Sequence, residues 1–201
     1  MTDPARPSPK AFAFWPALGL IAVGDYLTKR VAESALTLHM PHNVLGDWVR
    51  MTLTYNTGAA MNLSLGEWSR VLLSVVAIGM VGVLYRMYRT ADAADAWQAL
   101  ALGLVAGGAL GNLADRLRSA RGVVDFIDVG TAGWRFWTFN VADAGVTTGA
   151  VLLALVLWRR PEAVDTPPPV PAVASEAPSG VPSELPPASP ASRQTPASGS
   201  P

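Results

Sequence analysis

Most of the central part of the chain is occupied by four long apolar stretches, at residues 12–30, 68–88, 97–114 and 141–158. Each is near the length that a helix needs to cross a membrane. Residues 71–85 and 146–158 are apolar on every face, which favours contact with lipid over burial in a soluble bundle. Trp and Tyr at the edges of the stretches suit the membrane interface. The pattern predicts an all-α polytopic membrane protein with four transmembrane helices.

The connecting segments contain β-forming residues at 48–55, 123–127 and 134–139, and the first of these alternates in part between polar and apolar side chains. We therefore predict a small sheet that rests on the membrane surface. The segment NTGAA follows the first β-rich run and predicts a turn of small residues beside the bound ligand.

Prolines divide the chain into a folded body and a tail. Twelve of the seventeen lie at or after Pro161, and none lies between Pro41 and Pro161. A tail of Pro, Ala, Ser and Val cannot bury enough apolar surface to offset its ordering entropy, so we predict that residues 161–201 are disordered. Residues 1–10 are expected to be flexible, which leaves one domain at residues 11–160.

Composition excludes several classes of function. The net charge is zero, which gives no indication of a nucleic-acid partner. The chain has no Cys, so disulfides, thiolate catalysis and Cys-ligated metals are excluded. The two histidines, His39 and His42, flank Pro41 and are interpreted as part of a polar loop rather than as metal ligands.

The alternation of spans brings many polar residues to one membrane surface. The ends of the first and third spans, the start of the fourth, and the loops at 31–67 and 115–140 must share that surface. Acidic residues near hydrocarbon indicate a functional site, although a polar cap at the interface remains an alternative. Lys and Arg number six on one face and eight on the other, so charge does not orient the chain. The gathered residues are Asp25, Lys29, Asn56, Asn112, Asp115, Arg116, Asp125, Asn140 and Asp143.

Small residues predict how two of the spans pack. The third span carries Gly103, Gly107 and Gly111 on one face, and the fourth carries Gly145 and Gly149. Such stripes let helix backbones approach closely in lipid. We therefore expect the third and fourth spans to be in close contact, with Asn112 and Asp115 near Asp143.

The motifs of metalloproteases and serine hydrolases, HExxH and GxSxG, are absent, which leaves carboxylate chemistry. Two close carboxylates share a proton, so one can activate water while the other protonates a carbonyl. Asp25 and Asp115 have cations nearby, Lys29 and Arg116, and are expected to form ion pairs. Asp125 has no adjacent cation and is expected to be desolvated with a raised pKa. The pair Asp125/Asp143 is favoured, and Asp115/Asp143 stays open.

Five short motifs occur in one order: DxxTK at 25–29, YNTGAA at 55–60, GGALGNxxDR at 107–116, VVDFID at 123–128 and FNxAD at 139–143. Together they resemble lipoprotein signal peptidase, also called signal peptidase II, and the resemblance covers about residues 12–158. It implies an intramembrane aspartic endopeptidase that removes signal peptides from diacylglyceryl-modified prolipoproteins, just before the lipidated cysteine. The implied catalytic residues are Asp125 and Asp143. The implied substrate-binding residues are Asn56, Asn112, Arg116 and Asn140, and the supporting ones are Asp25, Lys29, Gly58 and Asp115.

The resemblance also implies four transmembrane helices with a small extracytoplasmic β-cradle, in the bacterial inner membrane. Both termini would be cytoplasmic and the active site would lie near the extracytoplasmic surface. The expected partners are diacylated prolipoproteins, membrane lipid and cyclic-peptide inhibitors of the globomycin type. No nucleic acid, metal or organic cofactor is expected, and the protein is expected to be a monomer.

The chain departs from the family pattern at Met61, Trp137 and Ala144, none of which belongs to the implied catalytic pair. Two other classes of function stay open. One is a non-enzymatic module that binds lipoproteins or lipid, and the intact pair of acids argues against it. The other is a small proton-coupled carrier, which would hold its acids in the middle of the membrane rather than at one surface.

Overall fold

A computed structural model describes residues 8–58 and 68–159 of the chain. Its four helices are all long and apolar enough to cross a membrane, which confirms the predicted fold class. They are α1 (Pro9–Ala35), α2 (Ser69–Thr90), α3 (Ala96–Arg118) and α4 (Val141–Trp158). The boundary predicted at residue 11 falls inside the first turn of α1. The predictions of disorder at 161–201 and of flexibility at 1–7, together with Met61, lie outside the described residues.

Helix α3 is the central helix of the bundle. More than half of its apolar window is buried, against less than a fifth for each of the other three helices. Leu102 and Ala106 of α3 form a core with Phe14 of α1 and Tyr88 of α2, whose rings stack with centroids 4.1 Å apart. The outer helices therefore present their remaining apolar surface to lipid, and α3 holds the bundle together.

The predicted close contact of α3 with α4 is present, since Gly149 of α4 lies against the carbonyl oxygen of Ala101, but the predicted glycines of α3 mainly contact α1. A Cβ at Gly103 would lie 2.5 Å from the carbonyl oxygen of Phe14, and one at Gly107 would lie 2.7 Å from that of Leu18, so this face packs on α1. Close approach to α4 is made instead by Gly108, against the carbonyl oxygen of Ala142. Periodic spacing identifies a small-residue face, but it does not identify the helix that packs there.

Three antiparallel strands form a sheet in the order β1-β2-β3, and they are β1 (His42–Leu45), β2 (Val49–Asn56) and β3 (Val123–Val129). The second and third were predicted from the sequence, whereas β1 was not. The predicted strand at 134–139 is instead irregular. It meets the sheet through isolated bridges, one of which pairs Ile127 with Phe139.

The sheet is anchored to the helices by a second apolar core. Leu53 of β2 and Val124 and Phe126 of β3 pack against Ala32 near the end of α1. The backbone N–H groups of Phe126 and Ile127 both donate to the carbonyl oxygen of Phe139, just before α4 begins. These contacts bring the middle of β3 beside the first turn of α4.

Candidate active site

Asp143 lies in the first turn of α4, where it completes a capping box with Asn140. The backbone N–H of Asp143 donates to Asn140 Oδ1 over 2.9 Å, and the backbone N–H of Asn140 donates to Asp143 Oδ2 over 3.2 Å. The other carboxylate oxygen accepts a hydrogen bond of 2.8 Å from Asn112 Nδ2 of α3. Hydrogen bonds donated to a carboxylate favour its charged form, and a helix N-terminus does the same.

Asp125 projects from the middle of β3 and is 3% exposed. Its oxygens accept hydrogen bonds from Asn140 Nδ2 at 2.6 Å and from Asn56 Nδ2 at 3.2 Å. Burial is the main reason that the pKa of Asp125 is raised to about 7, and the negative charge of Asp143 raises it further. The two amide hydrogen bonds oppose this shift without cancelling it. The raised pKa agrees with the expectation from the sequence.

Asn140 joins the two acids. Its Nδ2 donates to Asp125 while its Oδ1 and its backbone N–H bond Asp143. The residue is completely buried, and its Nδ2 also approaches the carbonyl oxygen of Val124 at 3.2 Å. The resemblance implied that Asn140 binds substrate, but in this structure it lies behind the carboxylates and orients them.

A buried ionic cluster lies beneath Asn112. Lys29 Nζ contacts Asp25 Oδ2 at 2.7 Å, Asp115 Oδ2 at 2.9 Å and Asn112 Oδ1 at 2.9 Å. The ion pair predicted between Asp25 and Lys29 is therefore confirmed. The pair predicted between Asp115 and Arg116 is wrong, because Asp115 bonds Lys29 and the backbone N–H of Val124 instead. Asp115 consequently belongs to the support of β3 and is not in contact with Asp143.

Both carboxylates line a cavity of about 910 Å³ that lies between β2, β3, the segment before α4 and the outer face of α4. Asn56, Asn112 and Arg116, which the resemblance implied as substrate-binding residues, also line it. Arg116 Nη1 donates to the carbonyl oxygen of Asn112. Gly58, two residues after Asn56, donates its backbone N–H to Asn56 Oδ1, which orients that amide. Within residues 8–58 and 68–159, no three His, Cys, Asp or Glu side chains are grouped to hold a metal.

Comparisons with known proteins agree with this arrangement. The family described as signal peptidase (SPase) II matches residues 17–159, which is more than half of the chain. The chain belongs to the signal peptidase II family.

Individual relatives of signal peptidase II type are similar over most of their length. A lipoprotein signal peptidase of Pseudomonas syringae pv. tomato is 40% identical over 155 residues, covering 76% of this chain and 88% of the relative. A lipoprotein signal peptidase of Rhodococcus jostii is 43% identical over 145 residues, covering 69% of this chain and 68% of the relative. A solved structure of a bacterial membrane enzyme, obtained by the in meso method, superposes with a TM-score of 0.65 at 26% identity, covering 71% of this chain and 85% of that one. As a signal peptidase II, the chain is an enzyme, an aspartic peptidase.

Sequence reasoning missed one wall of the signal peptidase II cavity. Phe136, Trp137 and Phe139 line it from the irregular segment that precedes α4, and the Phe136 and Trp137 rings lie 4.1 Å apart between centroids. This segment was interpreted as a strand, so its side chains were not assigned to the site. The density of aromatic residues in WRFWT, directly before the FN of the last motif, was the available signal.

Proposed function

We propose that Asp125 and Asp143 are the catalytic pair of an intramembrane aspartic endopeptidase, which cuts diacylglyceryl-modified prolipoproteins just before the lipidated cysteine. The observation that carries the proposal is geometric. The two acids, from different elements, line one cavity and both accept hydrogen bonds from the same buried residue, Asn140: Asp125 from its side-chain Nδ2 and Asp143 from its backbone N–H. Membership of the signal peptidase II family supports signal-peptide removal from prolipoproteins as the reaction.

Asp143 is the general base in this proposal. Its carboxylate accepts hydrogen bonds from Asn112 and from the backbone N–H of Asn140, which hold it at the cavity. It takes a proton from a water molecule in the cavity, and the oxygen of that water attacks the scissile carbonyl carbon. The charge of Asp143 is then neutralised as the tetrahedral intermediate forms.

Asp125 is the general acid. With a pKa of about 7, its carboxyl group is substantially protonated near neutral pH and can give that proton to the scissile carbonyl oxygen. When the C–N bond breaks, a proton passes to the leaving nitrogen. The products are a carboxyl terminus on the signal peptide and a free α-amino group on the lipidated cysteine.

The cavity has two kinds of lining that suit the two parts of such a substrate. Arg116 and Asn56 present polar groups toward the peptide backbone and the ester oxygens of the lipid. Phe136, Phe139 and Val146 present apolar surface. Burial of acyl chains contributes about 0.8 kcal/mol per CH₂ group, so the lipid supplies much of the binding and positions the cysteine.

The proposal includes a location and a set of partners. The enzyme is a monomer in the bacterial inner membrane, with both termini in the cytoplasm and the sheet on the extracytoplasmic side. Cyclic peptides of the globomycin type would compete with substrate for the same cavity. The four helices, an even number of spans, support termini on one side of the membrane.

The decisive experiment is cleavage of a purified diacylated prolipoprotein by the wild-type protein and two variants, Asp125→Asn and Asp143→Asn. Each substitution should reduce the rate by several orders of magnitude, while membrane insertion and the melting temperature in detergent stay close to wild type. Asp47→Asn is the matched control, because Asp47 is a solvent-exposed acid that bonds Arg50 in the turn before β2. Near-normal turnover by either Asp125→Asn or Asp143→Asn would reject the proposed catalytic pair.

A further inference from the structure

Asn112 must present its NH₂ group to Asp143, because every neighbour on the other side of its amide is a donor. Asn112 Oδ1 receives a hydrogen bond of 2.9 Å from Lys29 Nζ and one of 3.2 Å from Asn140 Nδ2. Asn112 Nδ2 is thereby directed at Asp143 Oδ1, 2.8 Å away. A flipped amide would place its NH₂ group against the Lys29 ammonium and its oxygen against the carboxylate, so both contacts would become repulsive.

Lys29 is held in place for this contact by two acids. Its ammonium has three N–H donors, and three acceptors surround it: Asp25, Asp115 and Asn112. Lys29 and Asp25 are at most 1% exposed, and Asp115 is 4% exposed. Asp25 is fixed in turn by the backbone N–H of Ala142, in the same helical turn as Asp143. A buried charge with all its donors engaged has one stable orientation.

We propose that Lys29 is a positioning residue for the catalytic base: it sets the orientation of the Asn112 amide, so that the Asn112 NH₂ group donates to Asp143 and holds its carboxylate toward the cavity. This rests on the proposed role of Asp143. It assigns to Lys29 an effect on the reaction, in addition to its contribution to the packing of α1 against α3.

The charged and polar groups around Asp143 come from three other parts of the structure. Arg116 and Asn112 face it from α3, Asp125 faces it from β3, and Asn140 faces it from the residue before α4. Lys29 acts from α1 through Asn112. If the donor from Asn112 is lost, Asp143 keeps the backbone N–H of Asn140 but loses the hydrogen bond that fixes its other carboxylate oxygen. The carboxylate is then less well oriented toward water in the cavity, so kcat should fall more than KM rises.

The test uses the full-length protein in detergent or lipid with a diacylated prolipoprotein as substrate. Lys29→Met, Asn112→Ala and the double variant form a cycle, and kcat and KM are measured for each. We expect at least a tenfold loss for Lys29→Met, mainly in kcat, and a double variant no worse than Asn112→Ala alone. Additive losses, or a loss that lies mainly in KM, would overturn the proposal, because they would mean that Lys29 acts only through the packing of α1.

A second variant keeps the inference testable if Lys29→Met does not fold. Asn112→Asp is nearly isosteric and leaves Lys29 an acceptor, but it cannot donate to the ionised Asp143. We expect it to fold and to lose at least tenfold in kcat with little change in KM. Wild-type kinetics for this variant would overturn the proposed action of Lys29 through Asn112.

Lys10→Met is the matched control on the same helix, since Lys10 Nζ donates to backbone carbonyl groups near the end of α2, such as that of Ala91, far along α1 from Lys29. It should change the melting temperature without lowering kcat, and a tenfold loss of kcat would overturn the inference. Asp143→Asn is measured alongside. Full activity of Asp143→Asn would reject the proposed catalytic pair itself. If Asp143→Asn is inactive while the Lys29 and Asn112 variants have normal activity, only the positioning role of Lys29 is rejected.

Discussion

Asp125 and Asn140 are both buried, but only Asp125 reaches the cavity, and this difference gives them different roles in the site. Asp125 is almost entirely buried but has one edge on the cavity, whereas Asn140 has none of its surface exposed and bonds both acids from behind. Burial disfavours the charged form of Asp125, and the neighbouring negative charge of Asp143 adds to this effect. Asp125 can therefore keep its proton near neutral pH, as the proposed general acid requires.

The raised pKa of Asp125 predicts how activity depends on pH. Because Asp125 must be protonated to act as the acid, kcat/KM should fall as pH rises through about 7. The measurement is kcat/KM for a diacylated prolipoprotein between pH 5 and 9. A profile that stays flat to pH 9 would contradict the assignment of Asp125 as the acid.

The same shift predicts a pH dependence of stability. When folding raises the pKa of a carboxyl group, the protonated group stabilises the folded protein. This contribution is fully present at pH values below the pKa in the unfolded chain, near 3.8, and it is lost as pH rises through the pKa in the folded protein, about 7. The melting temperature in detergent should therefore decline between pH 5 and 8. Asp125→Asn should remove that part of the decline, while Asp47→Asn should leave it unchanged.

Elements meet at the site because their backbones approach closely. Helix α3 carries glycine on two faces, with Gly103 and Gly107 against α1 and Gly108 against the first turn of α4. The contact of Gly108 with Ala142 brings Asn112 within hydrogen-bond distance of Asp143. The catalytic geometry therefore depends on a helix–helix distance as well as on the polar side chains.

Gly108→Ala should separate α3 from α4. Its new Cβ would collide with the carbonyl oxygen of Ala142 and lie 2.7 Å from Cγ2 of Val146. Overpacking of this kind typically costs about 1–3 kcal/mol, so we expect a lower melting temperature and a loss of activity of at least tenfold. Gly79→Ala in α2 is the matched control, because a Cβ there has nothing within 4 Å and should leave both properties near wild type. Equal behaviour of the two variants would contradict the close-approach argument.

At the scale of the whole molecule, the ends of α1 and α3, the start of α4 and the sheet all gather at one end of the helical bundle. The α2–α3 connection lies at the opposite end, together with the start of α1, because Lys10 bonds the carbonyl group of Ala91. The proposed orientation assigns the first end to the extracytoplasmic side.

The absence of Cys makes that orientation testable by labelling. Ala120→Cys, in the exposed turn after α3, should react in intact spheroplasts with a membrane-impermeant maleimide. Ala93→Cys, exposed in the α2–α3 connection, should react only after the membrane is opened. The reverse pattern would show that the active site faces the cytoplasm.

The Pro-rich tail should be dispensable for catalysis. The cavity and every contact to the two acids given above lie between residues 25 and 148, and the composition of the tail opposes a packed element. A chain that ends after Glu162 should insert and cleave a diacylated prolipoprotein at close to the full-length rate. A large loss of activity with insertion intact would mean that the tail contributes to the catalytic body or recruits a partner.

The sequence by itself determined the four spans, because the length of an apolar stretch is a local property that the bilayer selects. It also determined that Asp125 and Asp143 share one membrane surface, since spans must alternate in direction. Two of the three strands followed from β-forming residues, whereas the short, exposed β1 carries too weak a pattern to be predicted.

Only the tertiary structure decided which side chains are partners. Asp115 and Arg116 are neighbours in sequence, but consecutive residues of a helix point about 100° apart, so Asp115 faces Lys29 of α1 while Arg116 faces the cavity. The face that α3 turns toward each neighbour, the burial of Asn140 and the orientation of the Asn112 amide likewise depend on contacts between distant parts of the chain. Packing in three dimensions sets these directions, and no local pattern in the sequence encodes them.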